Sequence, residues 1–284
     1  PYLAYNHSST GNILPSTFYA KNVFYAKGLG LEHLPQYILG IITALAPGPL
    51  LALLPGVMGV VFLSSLGRIR GKRGTELANA PFLWALTLPL GWVVLLFVMY
   101  FVWLPAPNIH HGRYLMPSIP ILLLGGAAAT ARLLEHPTFI RWRRPIMEYV
   151  AIFTLAWWVI GAVIYSCNVK FINDQQVATA LWLKANTSQG TVVATHDIGA
   201  IGYFSERAVL DTVGLITPEL TYRPGEPEAV ISLMRERGAT YMAAFPSWHH
   251  WTLDDSRFQQ IVEASHRCFI TSSPENMLIF RIAW

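Results

Sequence analysis

Charge is what this chain has least of. Only 13% of its 284 residues are Asp, Glu, Lys or Arg, 53% are hydrophobic, and the mean hydropathy is +0.40. A soluble domain carries roughly 25% charged residues, so that class is excluded and an integral membrane protein is expected. Cysteine is almost as scarce. Cys167 and Cys268 cannot form a disulfide framework and match no metal-site spacing, so two unpaired buried thiols are expected. Pro1 is followed by neither a basic segment nor the apolar core of a signal peptide, and the chain is expected to begin inside a longer protein. Acid is nearly absent from the opening 33 residues, which hold Glu32 alone. No internal repeat or low-complexity tract is present.

Long apolar runs are abundant. Leu34–Leu66, Leu77–Leu104, Leu115–Leu134 and Ile146–Cys167 each approach or exceed the ~20 residues a helix needs to cross ~30 Å of hydrocarbon. Pro35, Pro47, Pro49 and Pro55 interrupt the first run, which is expected to hold a surface-lying or re-entrant half followed by a span. Beyond Thr87 and Thr130 the runs place almost no polar group at mid-span, which argues against a transporter.

Cations set the orientation. Arg68, Arg70, Lys72 and Arg73 follow the first run, and Arg141, Arg143 and Arg144 follow the third. The positive-inside rule puts both loops in the cytoplasm, with residues 1–33, the loop 105–114 and everything after Asn168 outside. From Asn168 onward 9 Lys and Arg face 12 Asp and Glu, a mildly acidic, soluble composition. A helix capped by Asp174 is expected through about Lys184, and strands at Thr191–Thr195, Ala208–Val213 and Thr240–Phe245. Arg267–Thr271 with Met277–Ile282 is expected as a closing pair, and Glu228–Arg237 as a helix stopped by Gly238. The expected fold is an α-helical membrane protein of about four transmembrane helices (34–167), preceded by an outer loop (1–33) and followed by a small extracytoplasmic α/β domain (168–284).

Several constellations carry chemistry. Gly and Pro in the segment Asn6–Lys27 predict a loop returning to the membrane, where aromatics beside Lys21 and Lys27 suit the headgroup level. In the run His110, His111, Gly112, Arg113, Tyr114, glycine lets backbone approach a ligand. Arginine there offers a fork to phosphate oxygens, and histidine adds a donor. Arg113 could instead simply snorkel to the interface. The two adjacent histidines point apart on a regular element and do not make a joint metal site. After the first outer strand come Thr195, His196, Asp197, Gly199 and Gly202, and after the second Asp211 and Gly214, the usual place for site residues in α/β folds. Asp197 also suits a helix cap. Gly199 and Gly202 lack the third glycine of a dinucleotide loop. Trp248, His249, His250, Trp251, Asp254 and Asp255 allow a sugar-stacking platform or a metal cluster, but a loop packed on the membrane surface is expected.

Taken in order, Gly11, Pro15, Thr17, Phe18, Tyr19, Ala20 and Lys21, then His111, Gly112, Arg113, Tyr114 and Pro117, then Asp197, Gly199, Ala200, Ile201, Tyr203, Leu210, Asp211, Gly214 and Leu215 resemble the carboxy-terminal half of bacterial GT-C membrane glycosyltransferases. The similarity is to polyprenyl-phosphate-sugar-dependent enzymes, including cell-wall arabinofuranosyltransferases and relatives of protein mannosyltransferases. The resemblance implies an inverting transfer of sugar from a polyprenyl phosphate to a hydroxyl of a glycan, lipid or protein acceptor, on the outer face of the plasma (inner) membrane. It implies that Lys21, His110, His111, Arg113 and Tyr114 meet the donor phosphate, and that Asp197, Tyr203 and Asp211 shape the acceptor side. The family's catalytic carboxylate lies in its first outer loop, so it is expected upstream of these residues. A divalent metal is left open, and no nucleic-acid partner is expected. A non-catalytic membrane protein with an outer sensing or binding domain fits the same topology.

Overall fold

The computed structural model describes residues 1–25, 34–45, 48–69, 81–103, 112–268 and 275–284. Lys27, Glu32, Pro47, Arg70, Lys72, Arg73, His110 and His111 lie outside them. The chain forms two compact units, Pro1–Phe24 with Ala162–Trp284, and Tyr25–Gly161.

The opening segment is not a loop but two helices, α1 (Tyr2–Thr10) and α2 (Ser16–Tyr25). Gly11 stops α1 in the left-handed region, φ 74°, and donates its N–H to the His7 carbonyl. The turn signals Gly11 and Pro15 were therefore punctuation between short helices. Tyr222 Oη donates to Asn12 Oδ1 at 2.9 Å, tying this segment to the α/β domain.

The membrane unit follows. α3 (Leu34–Leu45) and α4 (Pro49–Ile69) meet at a bend of 118°. α5 (Pro81–Trp103) is an apolar helix of 23 residues with Pro89 inside it. A 3-10 turn (Arg113–Ser118) leads into α6 (Ile119–Leu134). Two runs, Arg113–Leu134 and Ile140–Asn186, are each long and apolar enough to cross a membrane, and the bent pair α3–α4 makes a third if counted as one. Four spans were expected from run length, against two, or three with the bent pair, among the described residues. α4 packs on α6 through glycines. A Cβ on Gly126 would lie 2.7 Å from Leu53 Cβ, and one on Gly56 would lie 2.0 Å from Thr130 Oγ1. Small residues let the backbones approach, the usual way apolar helices associate in lipid. Tyr37 Oη donates to the Phe97 carbonyl at 2.6 Å, fastening α3 to α5.

The next helix, α7 (Arg143–Ile172), does not end with its apolar run. It passes through a π turn (Asn173–Val177) into α8 (Ala178–Asn186) without a break. Asp174 thus caps nothing. Its carboxylate accepts from Lys170 Nζ at 2.5 Å and lies 3.1 Å from His266 Nδ1. Beyond α8 lie β1 (Val192–Thr195), α9 (Ile198–Ser205), β2 (Ala208–Asp211), α10 (Pro227–Glu236), β3 (Ala239–Ala244), β4 (Phe258–Glu263) and β5 (Leu278–Ile282). The sheet order is β2-β1-β3-β5-β4, with β1 parallel to β2 and β3, and β5 antiparallel to β3 and β4. The closing pair is therefore β4–β5. Arg267 and Cys268 belong to no strand, and 269–271 lie outside the described residues.

Period-2 alternation fills both faces of the sheet. Ala194, Met242 and Phe280 pack with Val230, Leu233 and Met234 of α10. Val193, Ala243 and Ile279 pack with Phe171, Ala180, Leu183 and Ile201. Full burial of one side chain such as Leu183 contributes about 1.5–3 kcal/mol. Cys167 and Cys268 are not free thiols but a disulfide, their Cα atoms 5.9 Å apart across 101 residues of sequence. Two cysteines so far apart reveal their pairing only once α7 and the segment after β4 are brought together.

Candidate functional site

The three parallel strands end on one edge of the sheet, and each end carries polar side chains. His196 and Asp197 follow β1, Asp211 to Gly214 close β2, and Phe245 to His249 follow β3. With β2 and β3 on opposite sides of β1, the chain's direction around the sheet reverses between β1 and β3, the place where open α/β sheets bind ligands.

His196 is the centre of this edge. Its ring lies flat against the Trp248 indole, centroids 4.9 Å apart and planes 11° from parallel. Phe245 tilts against it at 5.5 Å, and His249 meets it edge-on at 5.9 Å. Burial first, then the neighbouring His249, pushes the His196 imidazole down to about 3. Burial, and then His250, pushes His249 down to about 4. Both rings are neutral at pH 7, each with one N–H donor and one acceptor nitrogen. His249 Nε2 lies 2.8 Å from Thr212 Oγ1, whereas Nδ1 of His249 and Nδ1 of His196 are buried without a partner. An unmatched buried polar atom costs about 1–3 kcal/mol, so a folded domain that keeps two such atoms side by side invites a functional reading.

Asp197 follows at the mouth of α9. Burial raises its carboxyl above the ordinary value, and hydrogen bonding from the Gln176 side chain and the Gly199 backbone opposes that rise. Gln176 itself is buried, and its Oε1 has no partner. It reaches this edge from the π turn. The same turn sends Gln175 to the start of β5, where its Oε1 accepts from the Met277 N–H at 2.7 Å. Asp211 is different in kind. It is fully buried and consumed by the loop it organises, accepting from the Val213 N–H at 2.9 Å and the Ile216 N–H at 2.7 Å. Gly214 closes that loop at φ 77°, where a Cβ would meet the Leu220 carbonyl at 2.5 Å.

The residues expected to meet a donor phosphate are distributed otherwise. Gly112 adopts the left-handed conformation, φ 71°, and starts the 3-10 turn at the head of α6. Arg113 is exposed there. Its guanidinium sits 5.1 Å from the Tyr114 ring centroid, and Nη2 donates to Tyr114 Oη at 3.2 Å. Lys21 is half-buried on α2 in the other unit, and His110 and His111 fall outside the described residues. Tyr203 is 78% exposed and touches Phe204 edge-on.

The Trp248–Asp255 segment has two sides: Trp248, His250, Leu253 and Asp254 are exposed, and the others turn inward. His249 is fully buried, and Trp251 packs edge-on against Phe258 of the domain core at 5.2 Å. Among the described residues no group of three or more His, Cys, Asp or Glu is arranged to hold a metal. Gln176 and Thr212 escaped the sequence reading, because a glutamine on a helix and a threonine after a strand carry no signal of their own. Only tertiary packing brings Gln176 to Asp197 and Thr212 to His249. No curated protein matches this sequence. A family model described as "Domain of unknown function (DUF8728)" matches residues 158–277, from the last turns of α7 to the start of β5.

Proposed function

We propose that the chain is part of a membrane glycosyltransferase that passes a sugar from a polyprenyl phosphate to an acceptor hydroxyl on the outer face of the plasma membrane. The observation that carries the reading is Arg113, an exposed guanidinium at the head of an apolar helix long enough to cross a membrane, set behind a left-handed glycine. In the reaction the acceptor oxygen forms a bond to the anomeric carbon as the bond from that carbon to the phosphate oxygen breaks. The acceptor proton goes to a carboxylate not assigned among these residues. The leaving polyprenyl phosphate gains negative charge, and a bidentate arginine stabilises that charge more strongly in the transition state than in the bound donor. Tyr114 holds the guanidinium in place from below.

Two features support the outward placement of the α/β domain. α7 begins with Arg143 and Arg144 behind Arg141, the cation-rich end that favours the cytoplasm. Its other end bears Cys167, paired with Cys268, and disulfides persist on the oxidising side. A second reading, a membrane protein whose outer domain only binds, draws support from the unmatched polar atoms around His196. Incubating protein-containing membranes with radiolabelled polyprenyl-phosphate sugars and acceptor lipid or glycan separates the two. Label in the acceptor fraction supports the transferase, and label confined to the donor across all sugars tested rejects it.

A further inference from the structure

We infer that the turn joining α6 to α7, where Arg141, Arg143 and Arg144 surround Trp142, binds the phosphate of an anionic membrane lipid. This requires the two apolar runs on either side to cross a membrane, but neither the transferase reading nor a choice of outer face.

Chain length fixes the place. The runs Arg113–Leu134 and Ile140–Asn186 are separated only by the segment Glu135–Phe139. So short a link holds the end of one run and the start of the other at the same membrane surface. Charge fixes the ligand's sign. Arg132, Arg141, Arg143 and Arg144 stand there against Glu135 and Glu148, and all six residues are exposed. Arg144 Nε donates to Glu148 Oε1 at 2.8 Å, which spends one of the five N–H donors of that guanidinium. Arg141 lies over the Trp142 ring, 5.6 Å from its centroid, and a guanidinium held on an aromatic face keeps its N–H edge for the fork that phosphate oxygens accept. The apolar neighbours then decide between a dissolved phosphate and a lipid. Phe139, Ile140, Trp142 and Met147 are exposed among the arginines. A dissolved anion would engage the cations and leave these four large side chains in water. The boundary between headgroups and acyl chains suits both sets, because the apolar groups enter hydrocarbon while the guanidiniums reach phosphate. Arg113 stands at the far end of the run that closes at Leu134, so the phosphate assigned to it is a different one.

Native mass spectrometry of the full chain in detergent micelles, titrated with dioleoyl phosphatidylglycerol and with dioleoyl phosphatidylcholine, tests this. Each basic residue near an anionic lipid surface adds a preference of roughly fivefold, so the phosphatidylglycerol should bind at least about tenfold more tightly than its zwitterionic counterpart. The triple variant Arg141→Gln/Arg143→Gln/Arg144→Gln should bring the two lipids level, and Arg143→Gln alone should remove about fivefold of the preference. Should the triple variant fail to fold, Arg143→Gln carries the decision. Equal binding of the two lipids by the unaltered chain overturns the inference and leaves the arginines an orienting role only. Phosphatidylglycerol binding that is unchanged in the folded triple variant, or in Arg143→Gln where that variant decides, overturns it as well. Displacement of the lipid by glycerol phosphate at equal concentration overturns it in favour of a site for a soluble phosphate.

Discussion

Cys167, on the last turns of the long apolar helix α7, is bonded to Cys268, which stands just after the edge strand β4. The bond closes a loop that contains most of the α/β domain. For a loop of roughly 100 residues, the chain-entropy account gives a stabilisation of about 4–5 kcal/mol. Reduction with a phosphine, or Cys167→Ser, should therefore lower the urea midpoint of the domain sharply while the membrane helices stay folded by far-ultraviolet circular dichroism. An unchanged midpoint, with two free thiols verified by mass spectrometry, would show that packing alone holds β4 and β5.

The buried imidazoles predict an acid limb. His196 and His249 fall from 6.5 to about 3 and about 4 in the folded state, so between those values and 6.5 the unfolded chain binds more protons. Their contribution is complete above pH 6.5 and is lost as pH falls toward 4 and then 3, at about 1.4 kcal/mol per pH unit for each ring. Thermal melts from pH 7 to pH 4 should show this decline, and His249→Asn should flatten it. Stability constant across that range would mean that the rings are open to water.

At Arg113, lysine and alanine distinguish fork from snorkel. If the guanidinium forks onto the donor phosphate, Arg113→Lys keeps the charge, loses the paired hydrogen bonds and lowers transfer markedly without loss of protein from the membrane. Arg113→Ala should be worse, at a cost of about 2–4 kcal/mol in the transition state, or roughly a thirty- to thousandfold loss in rate. A snorkelling arginine predicts wild-type turnover in the lysine variant. Initial rates at saturating donor decide between them.

Glycine contact in the membrane unit is open to the same kind of test. Gly126→Val pushes a branched side chain into Leu53 and should cost about 1–3 kcal/mol, seen as a lower melting temperature in detergent. Gly161→Val, at a glycine with nothing within 4 Å of a new Cβ, is the control and should change little. Equal effects at both positions would implicate helix propensity instead of packing.

Topology can be read with single cysteines in a Cys167→Ser/Cys268→Ser background. A membrane-impermeant maleimide added to intact cells should label Tyr222→Cys and spare Thr138→Cys. The reverse pattern would remove the outer-face transferase altogether.

The sequence revealed some of this architecture and hid the rest for identifiable reasons. β1, β2 and β3 were legible because short β-branched or apolar runs are bounded by turn residues. α10 was legible because Gly238, at φ 64°, stops it. β4 was not, since Phe258 is its one buried residue and the polar, exposed Gln259 and Gln260 read as loop. The edge around His196 was half legible. A His and an Asp after a strand mark a site, but the direction of Trp248 and the arrival of Gln176 are decided by tertiary packing.

The π turn at Asn173–Val177 is in effect one surplus residue held inside a helix. Deleting one of its five residues would restore ordinary α-helical winding and leave the face that follows, with Ala180 and Leu183 against Val193 and Ile279, nearly where it is. What the deletion would take away is the local widening that sends Gln175 to Met277 and Gln176 to Asp197 from adjacent positions. The glutamine pair is thus held by an irregularity of winding and not by the helix as such. In any lineage carrying this domain, loss of the surplus residue should go together with loss of these two glutamines, while the helix on either side keeps its buried face.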